Sequence, residues 1–247
     1  MTHMHTPPAE SGRGESLGRD AMTGNQILDE LPQAVQRSVQ KALVSLDSGT
    51  QVQSQGERIT HVLFPTTAVC SLVVELASGD KAETATVGRD GFVGVPLILG
   101  GTVADAAGVI QVSGEAYRMP ARSVLDLCKQ HEAFRRALFG YSAFRLHLAS
   151  RAVACNSFHS ISQRMARWLL FVHDRVGKSE FRLTHEALSA MLAATRPRVS
   201  QAAARLKSQG IIDYRRGNMR IVDRTRLEAI ACECYAQTRR LYPSVLQ

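Results

Sequence analysis

The sequence predicts an α+β chain in three parts: a sheet-rich first half, a long helical stretch, and a pair of short helices closed by a basic hairpin. Three observations predict it. Glycines and prolines cut residues 51–119 into short apolar runs. From Pro120 to Val176 glycine thins out and apolar residues recur every three or four positions. Between Leu183 and Ile212 two amphipathic helical patterns follow each other with almost no link.

Residues 1–24 read as a disordered leader. Pro7, Pro8, Gly12, Gly14 and Gly18 interrupt any apolar core that a signal peptide would need. From Asn25 to Leu46 the positions Ile27, Leu28, Leu31, Val35, Val39, Leu43 and Leu46 fit helical spacing, with Pro32 marking a break. Short Val, Ile, Leu, Thr and Phe runs then alternate with Gly56, Pro65, Gly79, Gly88, Gly91, Gly94, Gly101, Gly108 and Gly114, which is the texture of a β-sandwich or roll. A roll domain is therefore expected over residues 25–130.

A long helix is expected over residues 131–157, with Phe134, Leu138, Tyr141, Phe144, Leu148, Ala152 and Cys155 on one stripe. Taken alone, the stripe fits a cover for the sheets as well as a dimer seam. The helix should end near Asn156 and Ser157. Ser160 and Gln163 form a capping-box pattern, and the helix they start carries Ile161, Met165, Trp168, Leu169 and Val172 on its apolar side. Asn156, Ser157 and Ser160 are thus the expected hinge ahead of a third part, residues 158–247.

Thr184 is placed to cap a helix with Leu188, Met191 and Leu192 inside, and the link Ala193-Ala194-Thr195 suffices only for two packed helices. Thr195 offers a second N-cap oxygen, and Pro197 sits in the first turn, where a missing N–H costs little. Val199, Ala203 and Leu206 then face inward. Pro197, Arg198, Gln201, Ala204, Arg205 and Ser208 face outward and can reach a DNA major groove. The run Ile211–Val222 reads as two short strands around an Arg-Gly-Asn turn, in which Gly217 and Asn218 tolerate positive φ. Such a wing would bring Arg215, Arg216 and Arg220 near phosphates. A solvated hairpin serving another purpose is the plainer alternative.

Composition agrees with a polyanionic partner. The 247-residue chain has 30 Lys plus Arg against 22 Asp plus Glu, a net charge of +8, and the excess gathers between Arg196 and Arg226. Its length allows a sizeable core without staples, 45% of residues are hydrophobic, and no run approaches the roughly 20 apolar residues of a membrane span. A cytoplasmic protein with no membrane partner is expected. The five cysteines, Cys70, Cys128, Cys155, Cys232 and Cys234, are an odd number on a long chain and read as core thiols. With Cys232 and Cys234 two apart on an expected helix, their side chains should diverge rather than clamp one metal, so no metal site is expected. A redox role is the lesser alternative. An enzyme is not expected either: Gly91-Phe-Val-Gly94 lacks a following phosphate-cradling Lys, and no Ser, His and Asp set stands out.

The order of parts, together with Phe64-Pro65, Val87-Gly-Arg-Asp-Gly-Phe-Val-Gly94, Gln163-Arg-Met-Ala-Arg-Trp-Leu-Leu170 and the Leu183–Ile212 block, resembles the Crp/Fnr family of bacterial transcription regulators. The resemblance implies a cyclic-nucleotide-binding-like, double-stranded jelly roll, a dimerisation helix, and a winged helix-turn-helix. It implies a homodimer on near-palindromic double-stranded DNA, with RNA polymerase as a further candidate partner. Phe134, Leu138, Tyr141, Phe144 and Leu148 then become the expected dimer seam. Arg196, Pro197 and Gln201 fall at the base-reading places, where cyclic-AMP-responsive members carry Arg, Glu and Arg. Thr184, Arg198, Ser200, Arg205 and Lys207 are expected phosphate contacts.

The resemblance also places an effector pocket at Gly91, Phe92, Val93, Gly94, Asp105 and Ala106. The departures there are chemical. Phe92 stands where cyclic-nucleotide binders carry a ribose-binding Glu, and Ala104-Asp105-Ala106-Ala107 replaces their phosphate-binding Arg-Ser pair. An Asp would repel a phosphate monoanion, so cyclic AMP and GMP are disfavoured. No cysteine precedes Cys70, so the N-terminal iron–sulfur cluster of the oxygen-sensing members has no ligands. His61, His131 and His147 leave haem formally open, and the effector is unknown. A roll filled by its own side chains is the alternative.

Overall fold

A computed structural model describes residues 23–29 and 31–245. The expected leader lies outside the described residues except for its last two. Thr23 and Gly24 belong to the folded body: the Thr23 hydroxyl donates to Asp29 (2.6 Å), and buried Asn25 donates to the carbonyls of Pro65 (2.8 Å) and Gly91 (2.9 Å).

Two short helices, α1 (Gln26–Asp29) and α2 (Gln33–Gln40), open the chain. They bury Ile27, Leu28, Val35 and Val39, as the helical spacing predicts. The spacing misleads beyond Lys41. Leu43 and Leu46 lie in strand β1 (Leu43–Leu46), which pairs with residues 114–117, because cross-strand hydrogen bonding there overrides a local pattern that fits both periods.

The roll is built from β1, β2 (Gln51–Gln53), β3 (His61–Pro65), β4 (Val69–Glu75), β5 (Lys81–Val87), β6 (Ala107–Val112) and β7 (Gly114–Pro120), with a turn of helix α3 (Val95–Ile98) between β5 and β6. One sheet has the order β1-β7-β3 and the other β2-β6-β4-β5, all neighbours antiparallel. Helix α4 (Ala121–Gln130) leads into α5 (Glu132–Phe158), whose 27 residues extend about 40 Å.

Helix α5 is apolar on two faces. Phe134, Leu138, Tyr141 and Phe144 are buried in the protomer's own core, and Leu148 is half-buried against it. Ring contacts run from Phe64 to Phe92 (5.6 Å), Phe92 to Tyr141 (5.0 Å) and Tyr141 to Phe144 (6.3 Å). These five residues therefore cover the roll instead of forming the expected dimer seam. On the opposite face Phe139, Leu146 and Val153 are 47%, 71% and 69% exposed.

The remaining elements are α6 (Ile161–Val176), β8 (Glu180–Arg182), α7 (His185–Met191), α8 (Arg196–Ser208), β9 (Ile212–Arg215), β10 (Asn218–Ile221), α9 (Arg224–Ile230) and α10 (Cys234–Val245). A sheet of order β8-β10-β9 closes them. Met165, Leu169, Leu188, Leu192, Val199, Ala203, Leu206 and Met219 share one core, so both predicted apolar faces meet.

Polar contacts join this half to the roll. The Trp168 indole donates to Glu83 (3.1 Å), Arg175 forms a two-pronged ion pair with Asp90 (2.8 and 2.6 Å), and the Tyr242 hydroxyl donates to the Asp90 carbonyl (2.6 Å). Helix α10 returns to α5, where Tyr242 meets Phe144 edge-on at 5.2 Å.

Candidate nucleic-acid interface

Helix α7 starts at Thr184, whose hydroxyl accepts from the Ala187 amide (3.1 Å). Two residues after α7 the chain reverses through Ala193, a non-glycine residue at φ +44°. The buried Arg164 guanidinium of α6 donates to the Leu192 carbonyl beside that turn and so satisfies an end of α7 that has no helical partner. Thr195 adopts the extended backbone of an N-cap, but its hydroxyl makes no capping bond, contrary to expectation.

On α8 the inward set is Val199, Ala202, Ala203 and Leu206. Arg196, Pro197, Arg198, Gln201 and Arg205 are exposed along the outer face, and Ser200 is half-buried at its edge. Arg196 leans toward Glu186 at 3.6 Å, with both side chains largely in solvent, so the pair is weak and easily exchanged for a nucleic-acid contact. Lys207 differs from the rest. Its ammonium pairs with Asp213 (2.9 Å) and donates to the Tyr214 carbonyl (3.0 Å), which ties α8 to the wing rather than to an outside anion.

The wing turn is tighter than the sequence suggests and sits one residue earlier. Asn218 pairs with Arg215 across the hairpin, so the loop is the dipeptide Arg216-Gly217, with φ of +48° and +82°. Positive φ at both positions matches the twist of a two-residue hairpin. Arg215, Arg216 and Arg220 are all exposed around it. Asp213 lies 3.3 Å from Arg215 and 3.9 Å from Arg220, and the Lys207 hydrogen bond chiefly lowers its carboxyl below the usual range.

The expected effector residues do not converge on a cavity. Phe92 is fully buried among Phe64, Phe134 and Tyr141, while Val93 and Ala106 fill the core between the sheets, and Asp105 points to solvent. Gly91 has no room for a side chain, because a Cβ there would collide with the buried Tyr141 phenol. At the expected hinge, Asn156 and Ser157 belong to the last turn of α5, and the break falls at His159 and Ser160, both extended. Ser160 and Gln163 form the predicted capping box.

The sequence reading missed one cluster. Cys232 and Glu233 lie in the break between α9 and α10, not inside a helix, so Cys232 and Cys234 turn toward the same point. There they meet Cys155 in the last turn of α5 and His159 just past its end, and the four ligand atoms all lie within 4.8 Å of one another. The four-residue spacing of Cys155 and His159 at the end of the long helix was the available signal. The Cys155 thiol is held below the usual thiol range, chiefly by its hydrogen bond with Cys232, against burial and with Arg167 assisting. That bond and burial push Cys232 up.

Residues 163–230 match the family model for the Crp-like helix-turn-helix domain. This segment is similar to Crp-like helix-turn-helix domains. The Crp-like domain contains α7, α8 and the wing within one matched stretch. Solved structures extend the likeness to the chain's fold. FixK2 from Bradyrhizobium japonicum superposes with a TM-score of 0.63 at 17% identity, covering 77% of this chain and 96% of that one. A CRP-family transcriptional regulator from Thermus thermophilus gives 0.65 at 18%, with 76% and 96% covered. The c-di-GMP-responsive global regulator CLP of Xanthomonas campestris gives 0.59 at 14%, with 72% and 92% covered. At these identities the likeness is one of fold alone. No curated protein sequence matches the chain.

Proposed function

We propose that the chain is a non-enzymatic transcription regulator that binds a near-palindromic DNA operator as a homodimer. One observation carries the reading: α8 presents Arg196, Pro197, Arg198, Gln201 and Arg205 to solvent on a single face, with its opposite face locked into the domain core. Arg196 can make a two-pronged contact to guanine, Gln201 can pair with adenine, and Pro197 offers only apolar contact. Thr184, Arg198, Arg205 and the wing arginines act on phosphates, which position the protein without reading sequence. Lys207 contributes field but is held by Asp213.

The dimer seam in this proposal is the exposed stripe of α5. Phe139, Leu146 and Val153 repeat every seven residues, with Ala143, Ser150 and Ser157 at the intervening positions of a coiled coil. Two α8 helices would then lie one DNA turn apart. A signal acts by shifting the break at His159 and Ser160, helped by the Glu83–Trp168 and Asp90–Arg175 contacts across it. The filled roll favours an effector that binds outside the Gly91–Ala106 region, or none.

In vitro selection followed by gel shifts tests the reading. Arg196→Ala should cost about 1–3 kcal/mol of discrimination at one base pair of each half-site. Unselective binding by the parent protein, or unchanged selectivity in the variant, would refute the assignment. A consensus identical to that of a cyclic-AMP-responsive member would refute the roles of Pro197 and Gln201.

A further inference from the structure

We propose that Cys155, His159, Cys232 and Cys234 bind one structural zinc ion, which joins the end of α5 to the α9–α10 junction. The Cys155 and Cys232 sulfurs are 3.6 Å apart, and His159 Nδ1 stands 3.4 Å from the Cys155 sulfur and 3.8 Å from that of Cys234. A tetrahedral zinc with Zn–S of about 2.3 Å and Zn–N of about 2.0–2.1 Å requires ligand separations of roughly 3.8 Å between sulfurs and roughly 3.5 Å from sulfur to nitrogen. The three close separations match these values to within a few tenths of an ångström, and the remaining ones stay within 4.8 Å. A disulfide needs sulfurs about 2.05 Å apart. An iron–sulfur cluster binds its cysteines on several irons and spreads them wider than one ion does.

The surroundings fit a metal in two further respects. The other ring nitrogen of His159, Nε2, lies 3.1 Å from the Glu233 carboxylate, the arrangement that fixes the tautomer of a zinc-binding histidine and turns Nδ1 toward the ion. The three cysteines are buried and gather around one point, where each other and His159 are their side-chain hydrogen-bonding neighbours among the described residues. Three thiolates and one Zn²⁺ carry a single net negative charge, and Arg164 and Arg167 stand near enough to offset it. The ion would tie the end of α5 to the α9–α10 junction beside the His159–Ser160 break. This inference does not depend on the DNA-binding proposal.

The experiment is metal analysis of the full chain, purified without chelators, together with titration of the reduced, metal-stripped protein by Co²⁺ with an absorption readout. One zinc per chain is expected, with thiolate-to-cobalt charge-transfer bands and the visible spectrum of a four-coordinate ion. Cys232→Ser and Cys155→Ser should lose the zinc, whereas Cys128→Ser, outside the cluster, should retain it. Glu233→Gln should keep one zinc at saturation with affinity weakened about 10- to 100-fold in competition against a chromophoric chelator. The proposal is overturned by a parent chain that neither retains zinc nor shows thiolate–cobalt bands, by iron with stoichiometric sulfide, or by zinc retained in Cys232→Ser. If the serine variants fail to fold, the Co²⁺ spectrum of the parent decides.

Discussion

Glu83 is the residue whose ionisation the fold resists most plainly. Burial raises its pKa from 4.5, even though Thr86, Trp168 and Ser71 donate to the carboxylate and Arg175 lies near. Above the ordinary carboxylate range the folded chain therefore keeps a proton that the unfolded chain has released. Stability falls as pH climbs toward the raised folded value and stays lower beyond it. Glu83→Gln removes that slope, so its melting temperature relative to the parent should be more favourable at pH 8 than at pH 5. A constant offset across that range would contradict the assignment. Ala193 supplies a second residue-scale test. At φ +44° its Cβ is crowded, and Ala193→Gly should stabilise the helix-turn-helix by up to about 1 kcal/mol in thermal unfolding.

Among the elements, α5 best shows what a sequence can and cannot convey. Its stripe from Phe134 to Cys155 was legible, and so was the capping box at Ser160, because both depend on local spacing. Which of two apolar faces meets the roll and which is left open was not legible, since that depends on where the sheets end up. The two faces make opposite predictions. Leu138→Ala should destabilise the fold by about 2–5 kcal/mol, as a cavity in a core does. Replacing Leu146 and Val153 by Ser should leave the melting temperature of the isolated protomer nearly unchanged and shift sedimentation equilibrium toward monomer. The same limit explains the cysteines. Treating Cys232 and Cys234 as one helix made them diverge, and only the break at residues 231–233 brings them together. Leu43 and Leu46 were misread for the related reason that four residues fit either period when no partner strand is known. Helix α8 was read correctly face by face, because Pro197 and the alternating Val, Ala and Leu positions leave little choice.

For the whole molecule, the charge distribution gives the sharpest test. Affinity for DNA should fall steeply with salt, the logarithm of the binding constant declining with a slope of about −0.9 per phosphate contact. Arg215→Ala with Arg220→Ala should make that slope shallower by about 2 while leaving the preferred sequence unchanged. A slope independent of both substitutions would remove the wing from the interface. The junction between the halves is a separate matter. Asp90→Asn weakens the ion pair with Arg175 and should raise amide hydrogen exchange at both the Gly88–Gly91 turn and the end of α6, with the roll interior unchanged. No helix among the described residues is long and apolar enough to cross a membrane.

The return of α10 across α5 has an outcome for biogenesis. Phe144 receives the Tyr242 ring, and Cys155 receives Cys232 and Cys234, from a stretch of polypeptide synthesised after the roll, α5 and α7–α8. On the ribosome the roll and α7–α8 can mature in order, but the contacts of α10 across α5 close only once residue 242 has emerged. A nascent chain stalled short of residue 232 would carry a finished α8 joined to the roll through the Trp168–Glu83 and Arg175–Asp90 contacts but not through α10.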